Sequence, residues 1–473
     1  MNKEEFRRHA HQLIDWIADY QTNVENYPVK STCKPGDIIA QLPASAPVDG
    51  ESFENIFADF ENTILPGVTH WQHPAFFAYY PANTSPPSIL AETLMSALGV
   101  QGMSWQTSPA ATELEERVMQ WLVELLGLPN NFTGVIQDSA SNSALCSIIT
   151  AREAASDFDV NQHGLYQQKP FTLYCSAEAH SSIEKAVKIA GLGSANLRKI
   201  PVDENFAMKT DNLLAAIEKD IADGLCPLWV AAALGTTGST AFDPLRRIGE
   251  ISEKYNLWLH VDAAYAGTAF ILPEFRYLAD GMEYVDSFVF NPHKWMLTNF
   301  DCSAYFVRDK NLLVNTFSIL PEYLKTREDT QVNNYRDWGP TLARRFRALK
   351  LWFVLRSYGQ DSLRNLIKSH IELAQDLMIT MQNTPGFEIM APNVLNNICF
   401  RYHPQNINDQ EKLNQLNLQL METLNATGKL YLTHTKLNGN IVLRMVIAQT
   451  NVNREHVDKA WEQIQHTATH LPL

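Results

Sequence analysis

No apolar run in this sequence approaches the roughly 18 residues that a membrane helix requires. The opening Met1-Asn2-Lys3-Glu4-Glu5-Phe6-Arg7-Arg8 lacks the apolar core of a signal peptide. Excess positive charge is missing too. Lys and Arg number 38 against 52 Asp and Glu, for a net charge of −14, which argues against nucleic acid or an anionic membrane as the main partner. Cys33, Cys146, Cys175, Cys226, Cys302 and Cys399 are scattered with no C-x-x-C pair. That excludes a zinc ribbon and a disulfide framework, and it points to reduced thiols in the cytoplasm. Internal repeats and low-complexity tracts are absent. What is present is an ordinary globular composition, 45% hydrophobic and 19% charged. With 473 residues, the chain can build a large core and a second domain.

The chain reads in three parts. Residues 1–85 open with a helical stripe (Phe6, Ala10, Leu13, Ile14, Ile17, Ala18) and continue through Pro28, Pro35, Pro43 and Pro47. This segment is too small and extended to fold alone and is expected to pack on something large, such as another subunit. From 86 to 355, helices (Leu114–Leu126, Leu145–Ala154, Ser182–Ala190) alternate with short strands at Val135, Thr172, Leu228, Leu257 and Phe288. That alternation predicts an α/β domain with a mostly parallel sheet covered on both faces. Residues 356–473 read as a smaller α+β domain. Helices at Asp361–Gln382 and Glu455–Thr467 flank short strands at Asn397–Arg401 and Ile441–Met445.

Two strands carry the strongest chemical signal. Leu257-Trp258-Leu259-His260-Val261 ends on Asp262, and Ser287-Phe288-Val289-Phe290 runs through Asn291-Pro292-His293 into Lys294, 32 positions later. A lysine and an acid, each at a strand end, suit pyridoxal phosphate (PLP). The amine binds the cofactor covalently, and the acid keeps its ring nitrogen protonated. Alone, Asp262 reads equally as a helix cap and Lys294 as a solvated charge.

Three further turns follow strands of the same sheet. Gln137-Asp138-Ser139-Ala140-Ser141-Asn142 leads into a helix, whose free N–H groups and positive end suit a phosphate. Gly235-Thr236-Thr237-Gly238-Ser239-Thr240 offers hydroxyls, and His180 offers a ring that can stack on a flat cofactor. Taken singly, these are better read as a helix cap, a Gly/Thr turn and an ordinary histidine. Their agreement changes the balance, because open α/β sheets bind ligands at the carboxyl ends of their strands. His70 and His73 do not form a metal site, since Pro74 follows and no other ligand is near in sequence.

Asn291-Pro292-His293-Lys294-Trp295 together with His260-Val261-Asp262-Ala263-Ala264-Tyr265-Ala266-Gly267 resembles the group II PLP-dependent decarboxylases, above all the aromatic-L-amino-acid decarboxylases. The likeness extends over nearly the whole chain. It includes Pro66-Gly67-Val68-Thr69-His70-Trp71, Phe76-Phe77-Ala78-Tyr79, Ser108-Pro109-Ala110, Asn299-Phe300-Asp301-Cys302-Ser303 and Arg344-Arg345-Phe346-Arg347.

The resemblance implies the PLP-dependent transferase fold (fold type I), with a mostly parallel seven-stranded sheet. It also implies a homodimer whose site lies at the subunit interface. Lys294 would carry the cofactor, Asp262 would pair with the ring nitrogen and His180 would stack over the ring. Ala140, Ser141, Thr237 and Asn291 would bind phosphate, and His293 would support the cofactor. Trp71, Tyr79, Tyr80, Pro81, Ala82, Met103 and Ala343 would line the substrate pocket. The implied reaction takes an aromatic L-amino acid to its amine and CO2, and Tyr323 would return a proton to Cα. Alternatives are a PLP-dependent aldehyde synthase, whose relatives carry Phe in place of that tyrosine, and a histidine decarboxylase.

Some positions depart from the family pattern. Asp138 stands where Gly is usual, and a carboxylate there is unfavourable beside phosphate unless it points away or caps the helix. Ala82 replaces a usual Thr. Ala343 is neither the Gly nor the Ser that accompanies different ring preferences in relatives. Arg345 and Arg347 are read as partners of acids rather than as substrate ligands.

Overall fold

Strand β4 (Cys226–Ala233) reads Cys-Pro-Leu-Trp-Val-Ala-Ala-Ala and is buried from Leu228 onward. A strand without polar alternation must be covered on both faces. In the computed structural model, which describes residues 1–319 and 331–471, β4 lies inside a seven-stranded sheet. The other members are β1 (Thr133–Gln137), β2 (Phe171–Ser176), β3 (Leu197–Ile200), β5 (Trp258–Asp262), β6 (Ser287–Phe290) and β7 (Ser303–Val307). Their order is β1-β7-β6-β5-β4-β2-β3. β2 pairs in parallel with β3 and β4, and β5 in parallel with β4 and β6. β7 runs antiparallel to both β1 and β6. β1 therefore points the same way as the parallel set, and the carboxyl ends of β1, β2, β4, β5 and β6 share one edge.

Helices cover the sheet. Ile148 and Ala151 of the Ala140–Ala155 helix join Ile183 and Val187 of the Ser182–Ile189 helix against Leu173 and Trp229, all buried. The Pro109–Leu126 helix starts where Ser108 caps the Ala111 N–H and ends at Gly127, whose φ of +69° is left-handed. The expected Asp361 helix is the second half of Ala348–Gln382, interrupted at Gly359 (φ +70°, ψ 171°).

The chain gathers into two units. One contains Ala82–Gln375 and Ala391–Asn397, and hence the seven-stranded sheet. The other contains Met1–Pro81, Asp376–Met390 and Ile398–Leu473. This second unit holds a four-stranded sheet ordered β10 (Thr433–Leu437), β11 (Asn440–Val446), β9 (Asn397–Tyr402) and β8 (Phe387–Ile389). Its opening helix, Lys3–Asn23, has a capping box between Asn2 and Glu5. Phe6, Leu13 and Ile14 of its apolar stripe are exposed in the single chain. Among the described residues, no helix is long and apolar enough to cross a membrane.

Candidate active site

A cavity of about 190 Å3 sits at the shared strand edge, lined wholly by the sheet-bearing unit. It brings together Ala140, Ser141, His180, Thr237, Asp262, Asn291 and Lys294. The elements behind each residue explain the convergence.

After β1, Ser139 caps the Ala140–Ala155 helix. Its Oγ accepts the Asn142 N–H at 3.3 Å, and its carbonyl accepts the Ser143 N–H at 3.2 Å. The N–H groups of Ala140 and Ser141 precede the helical ladder and lie at the cavity, where the positive helix end favours an anion. Asp138 is exposed, and its Oδ1 accepts the Ser139 hydroxyl at 3.3 Å. Its carboxylate is thus committed to the cap residue.

After β4, Gly235 adopts φ +88°, and a Cβ there would stand 2.5 Å from Ala266 Cβ. The close packing requires glycine. Thr236 is buried and committed to the turn: its Oγ1 accepts the Ala241 N–H at 3.0 Å and meets Ser239 Oγ at 3.0 Å. Thr237 is exposed and lines the cavity.

Asp262 ends β5, and its Oδ1 accepts the Ala264 N–H at 3.0 Å. His180 follows β2. Its Nδ1 accepts the Ser182 N–H at 3.2 Å and lies 2.8 Å from the Ser182 hydroxyl. A backbone N–H can only donate, so the neutral ring carries its proton on Nε2. Partial burial pushes the His180 pKa down, against the attraction of Asp262 and with the repulsion of Lys294.

After β6, the Asn291 N–H donates to the Ala264 carbonyl at 2.8 Å and its Oδ1 accepts the Ser303 hydroxyl at 2.7 Å. The Lys294 N–H donates to the Asn291 carbonyl at 2.9 Å, closing a one-turn helix, Pro292–Trp295. His293 does not line the cavity; it is buried behind the turn, where its Nδ1 accepts the Cys302 N–H at 2.9 Å. Burial drives its pKa down to about 3, so it is neutral.

The other expected residues are not among those that line this cavity. In the unit bearing the four-stranded sheet, the Trp71 and Tyr79 rings stack at 5.8 Å, and the Tyr79 hydroxyl lies 3.2 Å from that of Tyr431. Trp71 and Tyr79 are exposed, and Tyr80 and Pro81 are buried. In the sheet-bearing unit, Ala82 is half-buried, and the Met103 carbonyl accepts the Arg336 N–H at 2.9 Å. Ala343 lines a separate 70 Å3 cavity beside Asp138 and Asn142. Arg347 pairs with Asp301 at 3.0 Å, Arg345 with Glu92, and Arg344 with Glu115 at 2.7 Å. Tyr323 lies outside the described residues. Sequence reasoning did not single out Ser182, Ser303 or Ala264, which orient His180, Asn291 and Asp262.

The donor set fits pyridoxal phosphate. N–H groups at a helix start and a free threonine hydroxyl suit the phosphate, a carboxylate suits a protonated ring nitrogen, and a lysine amine suits an aldehyde. Among the described residues, no group of three or more His, Cys, Asp or Glu could hold a metal ion.

Comparison with known proteins gives four findings. The family profile described as "Pyridoxal-dependent decarboxylase conserved domain" matches residues 35–403. Tyrosine decarboxylase 4 of Petroselinum crispum is 43% identical over 100% of this chain and 94% of its own length. Phenylacetaldehyde synthase of Arabidopsis thaliana is also 43% identical, over 100% of this chain and 97% of its own length. The solved structure of Catharanthus roseus tryptophan decarboxylase in complex with L-tryptophan matches with TM-score 0.93 at 38% identity, covering 99% of each chain.

Proposed function

This chain belongs to the pyridoxal-dependent decarboxylase family, and we propose that it converts an aromatic L-amino acid to the corresponding amine and CO2. What supports the reading is the single cavity in which Lys294, Asp262, His180 and the Ala140–Ser141 helix start meet. The aromatic side chain is supported by relatives named for tyrosine and tryptophan and by the exposed Trp71–Tyr79 stack.

Bound pyridoxal phosphate supplies an electron sink for the bonding pair left when CO2 departs. Lys294 would hold it through its amine. The N–H groups of Ala140 and Ser141, with Thr237 and Asn291, would hold the phosphate. Asp262 would keep a proton on the ring nitrogen by Coulomb attraction in a partly desolvated site. His180 would lie against the ring as a neutral imidazole, and neutral His293 would fix the turn that carries Lys294. Trp71, Tyr79, Tyr80, Pro81, Ala82, Met103 and Ala343 would line the substrate side, completed by a second copy of the chain. Tyr323 would donate a proton to the substrate Cα, which yields an amine rather than an aldehyde. The six cysteines, all free, suit a cytoplasmic enzyme.

The test is purified protein with PLP against Trp, Tyr, Phe, dopa, 5-hydroxytryptophan, His and Glu, with products identified by mass spectrometry. CO2 and an amine from at least one aromatic substrate is the expected result. Turnover of His or Glu alone, or no CO2 from any, overturns the reading.

A further inference from the structure

The turn that carries Lys294 is strained, and a separate segment straps it down. Leu297, three residues beyond the lysine, is buried with φ +52°. A β-carbon is sterically disfavoured in that left-handed region, so surrounding contacts must hold it there. Residues 83–88 run alongside and supply them. The Asn83 N–H donates to the His293 carbonyl at 3.1 Å, and its Nδ2 donates to the Lys294 carbonyl at 2.6 Å. The Ser85 hydroxyl donates to the Leu297 carbonyl at 2.7 Å. The Asn299 N–H donates to Ser88 Oγ at 2.8 Å. All three strap side chains are buried.

Ser85 ties the turn to the helix that follows it. It is the N-cap of the Pro86–Leu98 helix, where a serine hydroxyl ordinarily accepts an N–H of its own first turn. Here it makes no such cap bond. Pro86 and Pro87 offer no N–H to accept there, and the hydroxyl donates to the Leu297 carbonyl, 212 residues away.

We propose that Asn83 and Ser85 are positioning residues for Lys294. They fix the carbonyls on either side of it, so that its amine keeps one direction and one environment in the cavity. This rests on the proposed role of Lys294 as cofactor lysine. Asn83 and Ser85 bond main-chain carbonyls of the turn and are not among the residues that line the cavity, so their proposed effect on the site runs through the turn that carries Lys294.

The test uses N83A, S85A and S85T in the full chain. In the apoprotein, the pH dependence of Lys294 acetylation by acetic anhydride is read by peptide mass spectrometry. In parallel, PLP affinity is read from the visible absorbance of the lysine-linked cofactor. N83A and S85A should weaken PLP about tenfold and move the midpoint of Lys294 labelling, whereas S85T, which keeps the hydroxyl, should track wild type in both. A stability defect alone would leave the labelling midpoint of the folded protein in place. Unchanged midpoint and affinity in S85A overturns the proposal, as does an S85T that behaves like S85A. Should N83A fail to fold, the S85A and S85T pair decides. If wild type attaches PLP elsewhere than Lys294, it is the functional reading that fails; the labelling midpoints still report on the strap.

Discussion

Asp262 and Ala264 are joined across the end of β5 by a hydrogen bond of 3.0 Å, the Ala264 N–H donating to the carboxylate Oδ1. The bond fixes the carboxylate at the cavity that Lys294 also lines. D262N keeps an oxygen for that bond and removes the negative charge. Decarboxylation should fall by about 100-fold or more, the order expected for losing a charge pair in a partly buried site. Circular dichroism should remain that of wild type. Steady-state rates within threefold of wild type would remove Asp262 from the account.

The threonine turn separates stability from cofactor affinity. T237A removes one exposed hydroxyl and should weaken PLP about tenfold, the worth of a hydrogen bond to a charged group, with little change in melting temperature. T236A breaks the bond to the Ala241 N–H and should lower the melting temperature of the apoprotein. G235A meets Ala266 Cβ and a φ of +88°, and should destabilise by roughly 2–4 kcal/mol. Thermal melts of apo and PLP-loaded protein distinguish the three.

Four buried histidines contribute to the acid limb of stability. Burial pushes His73 and His260 down to about 4, and His293 and His370 down to about 3. Their unfolded values lie near 6.5. The unfolded state therefore binds more protons in acid, and stability rises with pH across that window. The contribution is complete above about pH 7 and is lost as pH falls from about 6.5 toward 3–4, at roughly 2 kcal/mol per histidine by pH 5. Urea melts of the apoprotein should be flat in this respect between pH 7 and 8 and fall steadily below 6.5. H370N should reduce the slope, since it removes one of the four groups. An identical slope in that variant contradicts the assignment.

In the proposed function, Tyr323 would decide between amine and aldehyde. In the presence of O2, which takes the two electrons, Y323F should divert product from amine to aldehyde, with ammonia and hydrogen peroxide in equal amounts. The Arabidopsis relative named phenylacetaldehyde synthase, as similar as the tyrosine decarboxylase, makes this the informative substitution. A Y323F protein that still makes only amine at the wild-type rate would show that the proton comes from elsewhere.

The cavity was legible in the sequence because buried parallel strands are continuous apolar runs and the chemical residues follow them directly. Val135, Thr172, Leu228, Leu257 and Phe288 all lie in or beside strands of the sheet. β7 was not read as a strand, since an apolar pentapeptide carries no mark of direction or partner. The Ala140 helix begins five residues before the apolar periodicity at Leu145, because Ser139 rather than packing starts it. Thr236 and Thr237 are chemically alike in sequence, and only the fold distinguishes the committed hydroxyl from the free one. Asn83 and Ser85 read as ordinary polar residues before Pro86. Their partners lie more than 200 positions on, beyond the reach of any local pattern.

The most direct test is covalent. The protein is reconstituted with PLP, reduced with borohydride, digested and mapped by mass spectrometry. One phosphopyridoxyl group on Lys294, lost in K294A together with CO2 release, is the predicted result. A label on another lysine, or none, contradicts the account at its centre.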